Sequence, residues 1–307
     1  MTAHTSAHRP ASTVSPVLAL GAVALTVADL QRSLAHYQQV IGLRVLEQSD
    51  GRALLGAGTT ALVEVREQKG AAPSVTGHTG LYHLAMLLPG RADLGRFVAH
   101  LMAERISVQG ASEHLVSEAL YLQDPDGHGI EVYADRDVAG WEWQSGQVRM
   151  ATLAADIAGI VASAGEDTAW CGLPGGTVMG HVHLKVNDLS SARAFYEGLL
   201  GLDVVVDFSR QGALFVSQGG YHHHFGLNVW QSRSGRRAQD GEARLLSAQV
   251  YMPAAELEPI RARLLKAGYS AGSVGEPFTV SDPAGNLLHF IQRTGTVSSG
   301  PVSKASE

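Results

Sequence analysis

The chain has 307 residues, 45% hydrophobic and 17% charged, a globular composition long enough for two ordinary domains. A net charge of −6 argues against nucleic acid as a partner, because a phosphate backbone calls for a basic face. A single cysteine, Cys171, excludes an internal disulfide and fits a reduced, cytoplasmic setting, and no apolar run is long enough to span a membrane.

The elements follow in chain order. Residues 1–18 open with "MTAHTSAHRPASTVSP", which lacks the apolar stretch of a signal peptide and reads as a disordered leader. "AVALTVADLQRSLAHYQQVIGL" (22–43) then gives an alternating strand, an N-cap at Asp29, an amphipathic helix and a stop at Gly42. A second strand and helix follow as "LYHLAMLLPG" and "DLGRFVAHLMAE". "LQDPDGHGIEVY" (122–133) reads as strand, Pro-Gly turn and strand. Residues 137–178 form a structured connection in which "TLAADIAGIVASAG" is a short apolar helix ended by glycine.

Beyond the connection the chain repeats itself. In "HVHLKVNDLSSARAFYEGLLGL" (181–202), Leu25, Val27, Asp29, Leu30, Tyr37, Gly42 and Leu43 recur as Leu184, Val186, Asp188, Leu189, Tyr196, Gly201 and Leu202. "VSDPAGNLLHFI" (280–291) repeats the strand-turn-strand, again after a strand and a helix. Four units result, at roughly 19–70, 79–136, 179–232 and 244–293, with residues 294–307 as a loose tail.

This order resembles the βαβββ modules of the vicinal oxygen chelate superfamily, which includes glyoxalase I, bleomycin-resistance proteins and extradiol dioxygenases. The resemblance implies an α+β fold in which paired modules make two half-open barrels. It divides the chain into an N-terminal pair of modules (19–136) and a C-terminal pair (179–293). In such a fold the strand opening each module points one residue into its barrel. The repeat aligns those residues as Ala22, His83, His181 and Ser247, while the last strands of modules two and four carry Glu131 and His289.

Two histidines and one carboxylate on one face are the ligand type expected for non-haem Fe(II), and Mn(II) accepts the same set. His83, Glu131 and His181 supply it. The usual family pairing, one with two and three with four, would split these three between barrels. The chemistry instead predicts that modules two and three build the metal barrel, with modules one and four forming a barrel without metal. His289, flanked by Leu288 and Phe290, is expected to be structural, and His183 to lie outside the ligand set.

The stretch "HLVSEALYLQDPDGHGIEVY" (114–133) resembles the extradiol dioxygenase signature: His, five residues, an aliphatic residue, Tyr, two residues, Asp-Pro-x-Gly, three residues, Glu. Here these are His114, Leu120, Tyr121, Asp124, Pro125, Gly127 and Glu131. Ser112 departs from the residue types usual two positions before the histidine. A hairpin brings its ends side by side, so Tyr121 is expected beside the metal that Glu131 binds. In the family, this Tyr and His hydrogen-bond substrate near the iron.

A further family feature is a second-sphere histidine late in module three, and "GGYHHHFGLNVW" (219–230) offers three. Read as a strand, it puts His222 and His224 on one face and His223 on the other. His224, with Leu227 after it, best fits the family pattern and is expected to act as general base and then acid. The chain thus resembles the bacterial catechol 2,3-dioxygenases, implying an Fe(II) enzyme, a catecholic substrate with O2, and a homo-oligomer. The alternatives are a glyoxalase-type metal-dependent isomerase or lyase and a non-enzymatic bleomycin-resistance-like binder. The particular catechol is not legible.

Overall fold

The computed structural model describes residues 17–74 and 76–293. The predicted leader and tail lie outside the described residues, apart from Val17 and Leu18, and Leu18 is already buried. Among the described residues no helix is long and apolar enough to cross a membrane.

Each module opens on a strand: Ala19–Val27, His78–Leu87, Val178–Lys185 and Leu245–Met252. The central two pair antiparallel, with His83 opposite His183 and Ala85 opposite His181. The outer two also pair antiparallel, with Ala24 opposite Ser247. Modules two and three therefore share one half-open barrel and modules one and four the other, which is the pairing the ligand set predicted. Leu20 opposite Met179 joins the two into one mixed sheet.

The repeated residues have local reasons. Asp29 and Asp188 cap their helices by accepting from the backbone N–H of Arg32 (2.9 Å) and Ser191 (2.7 Å). Gly42 and Gly201 stop them at φ of 86° and 75°, where a side chain would be strained. The recurring tyrosines join neighbouring modules. Tyr37 donates to Asp124 and Tyr196 donates to Asp282, both at 3.1 Å. Each aspartate also organises its Asp-Pro turn. Asp124 accepts from the N–H of Asp126 and His128, and Asp282 from those of Ala284 and Asn286. Modules one and two are thus tied at a turn although their opening strands lie in different barrels.

The helix expected across "TLAADIAGIVASAG" is shorter than that run, covering only Ile157–Ala162. Leu153 and Ala154 pair instead with Glu113 and Ser112 as a strand. The connection therefore becomes a wall of the barrel of modules two and three. Ile160 is fully buried, and Met150, Ala151 and Thr152 line the cavity described next.

Candidate metal centre

The barrel of modules two and three encloses a cavity of about 560 Å³. His83, Glu131 and His181 face one another within it. All three are buried, and one ligand atom from each lies within 4.8 Å of the others. The sheet places them. Glu131 lies on Gly129–Asp135, parallel to the His83 strand with Ala85 opposite it, and His181 also lies opposite Ala85 from the other side.

Glu131 Oε2 lies 3.0 Å from His83 Nε2 and 3.2 Å from His181 Nε2. The first contact has the length of a hydrogen bond without its geometry, so His83 Nε2 is left with no hydrogen-bond partner; His181 Nδ1 is likewise unpartnered. Burial pushes the Glu131 carboxyl up, but His181 and His83 outweigh it and hold the group well below the usual carboxylate range. Burial pulls the His181 imidazole down to about 4. At neutral pH the site therefore offers an ionised carboxylate beside a neutral imidazole with a spare lone pair. That donor set fits a divalent transition metal.

Tyr121 lies directly opposite Glu131 in the hairpin. Its hydroxyl is 2.6 Å from His114 Nε2, and His114 Nδ1 is 2.7 Å from the carbonyl of Ala151. A carbonyl only accepts, so Nδ1 carries the proton and Nε2 accepts from the phenol. Burial, and then the Glu131 charge, push the Tyr121 hydroxyl well above its ordinary pKa, so it stays a donor. His114, Tyr121 and Glu131 of the signature thus meet at one wall.

The histidine run departs from the sequence expectation. Residues 221–224 are not a strand; the strand begins at Phe225. Consecutive glycines at φ of 78° and 82°, Gly219 and Gly220, break the chain before it. Two-residue alternation therefore does not apply, and His223 turns into the cavity. Its ring centroid lies 4.1 Å from that of His181 and 5.0 Å from Phe215. His224 does not line the cavity. Its Nδ1 accepts from Ser217 Oγ at 2.8 Å, and burial pulls its pKa down to about 3. The double glycine was the available signal.

Behind His223 stands a chain the sequence reading missed. His223 Nδ1 is 2.7 Å from His222 Nδ1, and His222 Nε2 is 3.0 Å from Asp135 Oδ1. With His222 donating from Nε2 to the carboxylate, its Nδ1 accepts from His223. That tautomer leaves His223 Nε2 as a free lone pair, and burial holds the imidazole neutral.

His183 is more deeply involved than expected. It is buried, lines the cavity and lies 4.9 Å, ring to ring, from His83. Gly226 makes the room: a Cβ there would come within 2.7 Å of His183 Cγ. The ring is boxed by Tyr82, Phe215 and Trp230 and has little freedom to retreat. Gly226→Ala is expected to cost about 1–3 kcal/mol, as overpacking does. The urea midpoint of the metal-free protein measures it; an unchanged midpoint would show the ring free to move.

The other barrel holds decayed counterparts. The register repeats, with Gln249 opposite His289 as Ala85 is opposite Glu131. His289 bonds to Thr279 Oγ1 at 2.8 Å. Glu64, unnoticed in the sequence, takes the Glu131 register opposite Ala24, but Arg52 (2.9 Å) and Arg66 (2.5 Å) neutralise it. Among the described residues, only the His83, Glu131 and His181 group has a metal-holding arrangement.

Residues 19–132 and 178–290 match the Glyoxalase/Bleomycin resistance protein/Dioxygenase superfamily. The chain belongs to this superfamily. It is 41% identical over 277 residues to a catechol-2,3-dioxygenase of Bacillus subtilis (strain 168), covering 89% of this chain and 96% of that one. Solved structures share the fold at lower identity. A provisionally assigned dioxygenase of Bacillus subtilis subsp. subtilis strain 168 has a TM-score of 0.59 and 13% identity, covering 89% of this chain and 84% of that one. Glyoxalase I of Zea mays has a TM-score of 0.53 and 15% identity, covering 90% and 92%. Superfamily membership alone leaves dioxygenase, isomerase and binder chemistry open. The similarity to the Bacillus protein supports a dioxygenase-type, metal-dependent enzyme.

Proposed function

We propose that the protein is a non-haem Fe(II)-dependent extradiol dioxygenase that inserts O2 into a catechol and opens the ring beside the diol, with Mn(II) as the other metal the ligands accept. The observation that carries this reading is the buried His83–Glu131–His181 group together with Tyr121, His114 and His223 around one cavity. His83, Glu131 and His181 would hold the iron, which would supply the exchange of electrons between a catechol and O2. The catechol-2,3-dioxygenase name of the Bacillus relative favours the same reaction.

The chain's own groups divide the remaining work. His223 Nε2, held as a lone pair by His222 and Asp135, takes a proton from a catechol hydroxyl and later returns it. Tyr121 keeps its proton and donates it to His114, which leaves the phenol oxygen as an acceptor at the cavity wall. The side chains of Phe215 and Trp230 line the cavity and offer apolar surface to an aromatic ring.

The test is anaerobic loading with Fe(II) or with Mn(II), followed by addition of catechol and air. Oxygen uptake equal to the yellow ring-opened semialdehyde formed supports the reading. Muconate as product, or no uptake with either metal, would refute it. His289→Ala is expected to keep metal content and turnover within about twofold, since Thr279 is its only hydrogen-bond partner among the described residues. Iron loss in that variant would give the outer barrel a metal role.

A further inference from the structure

The inner face of the Val178–Lys185 strand carries a third polar side chain beyond its histidines. Side chains alternate along a strand, so His181, His183 and Lys185 share that face. Lys185 lines the same cavity as the three ligand candidates and is only 5% exposed. Its ammonium has no hydrogen bond or ion pair with any described residue. Buried lysines are rarely left in this state, because an unpaired charge away from water is costly.

The neighbouring strands do not supply an acceptor. Asn228 lies beside Lys185 in the parallel pairing, but its Oδ1 already accepts from the N–H of Trp230 at 3.2 Å. The amide therefore leaves its Nδ2, a second donor, buried and unpartnered. On the other side stands Gly80, where an added Cβ would meet nothing within 4 Å. The ammonium of Lys185 thus meets no acceptor from either neighbouring strand, while its side chain lines the cavity. Glu131 is the only carboxylate lining the cavity among the described residues, and the metal would claim its charge. Lys185 is the only lysine or arginine there.

We propose that Lys185 binds a carboxylate carried by the substrate, so that the catechols this protein takes are anionic rather than neutral. The inference rests on the catechol reading of the site. Four residues of strand, about 13 Å, separate Lys185 from His181. The carboxylate therefore sits on a short arm opposite the diol rather than on the ring itself. A dihydroxyphenylpropionate has this shape.

The experiment compares 3-(3,4-dihydroxyphenyl)propionate with 4-propylcatechol, which matches it in length but lacks the charge. Iron-loaded wild type, Lys185→Met and Lys185→Arg are assayed for ring cleavage, and dissociation constants are measured by anaerobic titration. Lys185→Met is expected to weaken the propionate about ten- to a hundredfold, the scale of a charge-assisted hydrogen bond. The loss should fall on KM and on the anaerobic dissociation constant, while 4-propylcatechol changes less than about twofold. Lys185→Arg should restore part of the propionate affinity. Equal effects on both substrates, or a wild type that favours the neutral one, would overturn the assignment to Lys185. A protein that cleaves neither these substrates nor catechol would instead overturn the dioxygenase reading beneath it.

Discussion

Glu131→Ala is expected to remove bound metal and ring cleavage together, with turnover falling to the background of metal-free protein. Glu131 is the only carboxylate in the group, and both histidines meet at its Oε2. Two neutral imidazoles remaining in a buried site would have to hold a divalent charge without a counter-charge. Folding should weaken too: His181 and His83 hold the folded-state carboxyl well below its usual range, so the ionised group favours the folded state at neutral pH, and the metal-free variant should melt lower than metal-free wild type. The variant should further lose the stabilisation by metal, which for wild type is about 2.7 kcal/mol when free metal is a hundred times its dissociation constant. Melting curves with and without Fe(II), prepared anaerobically, read this directly. A variant that still rises in melting temperature with iron would show that other residues supply the third ligand.

The metal group was legible because the chain carries its own alignment. The repeat placed Ala22, His83, His181 and Ser247 in one register, and the strand pairing keeps that register: Ala24 faces Ser247, and Ala85 faces His181. The ligand chemistry then selected the central modules as partners, and the central strands do pair. Less was legible where pattern and position part. Glu64 occupies the register of Glu131, but its strand lacks the Asp-Pro turn that marked the others, and its two arginine partners lie on different strands. Lys185 carries no motif in the sequence, because only the fold shows that it lines the cavity while its ammonium has no partner among the described residues. The carbonyl of Ala151, which sets the His114 tautomer, sits in a connection with no periodic signal at all.

His223→Ala is expected to keep its iron and lose turnover by about 10²–10⁴, the range for a positioned acid–base group. The strand reading of "GGYHHHFGLNVW" assigned this role to His224; the proposal gives it to His223 because that side chain lines the cavity. His223 faces the cavity at 4.1 Å, ring to ring, from His181, whereas His224 is turned to Ser217. His224→Ala should therefore behave as a folding variant. Leaving the Ser217 hydroxyl unpartnered costs about 1–3 kcal/mol, while the folded fraction should turn over within a few-fold of wild type. His222→Ala tests the chain behind. It removes the acceptor that orients His223 but not the base itself, so its loss should lie between the other two. An iron count accompanies each rate, because His223 packs on a ligand and a general loosening of the site would appear there first. Intact iron with normal turnover in His223→Ala, together with a large loss in His224→Ala, would return the acid–base role to His224. It would also mean that the catalytic state carries the histidine run in a different conformation, with the hinge at Gly219 and Gly220.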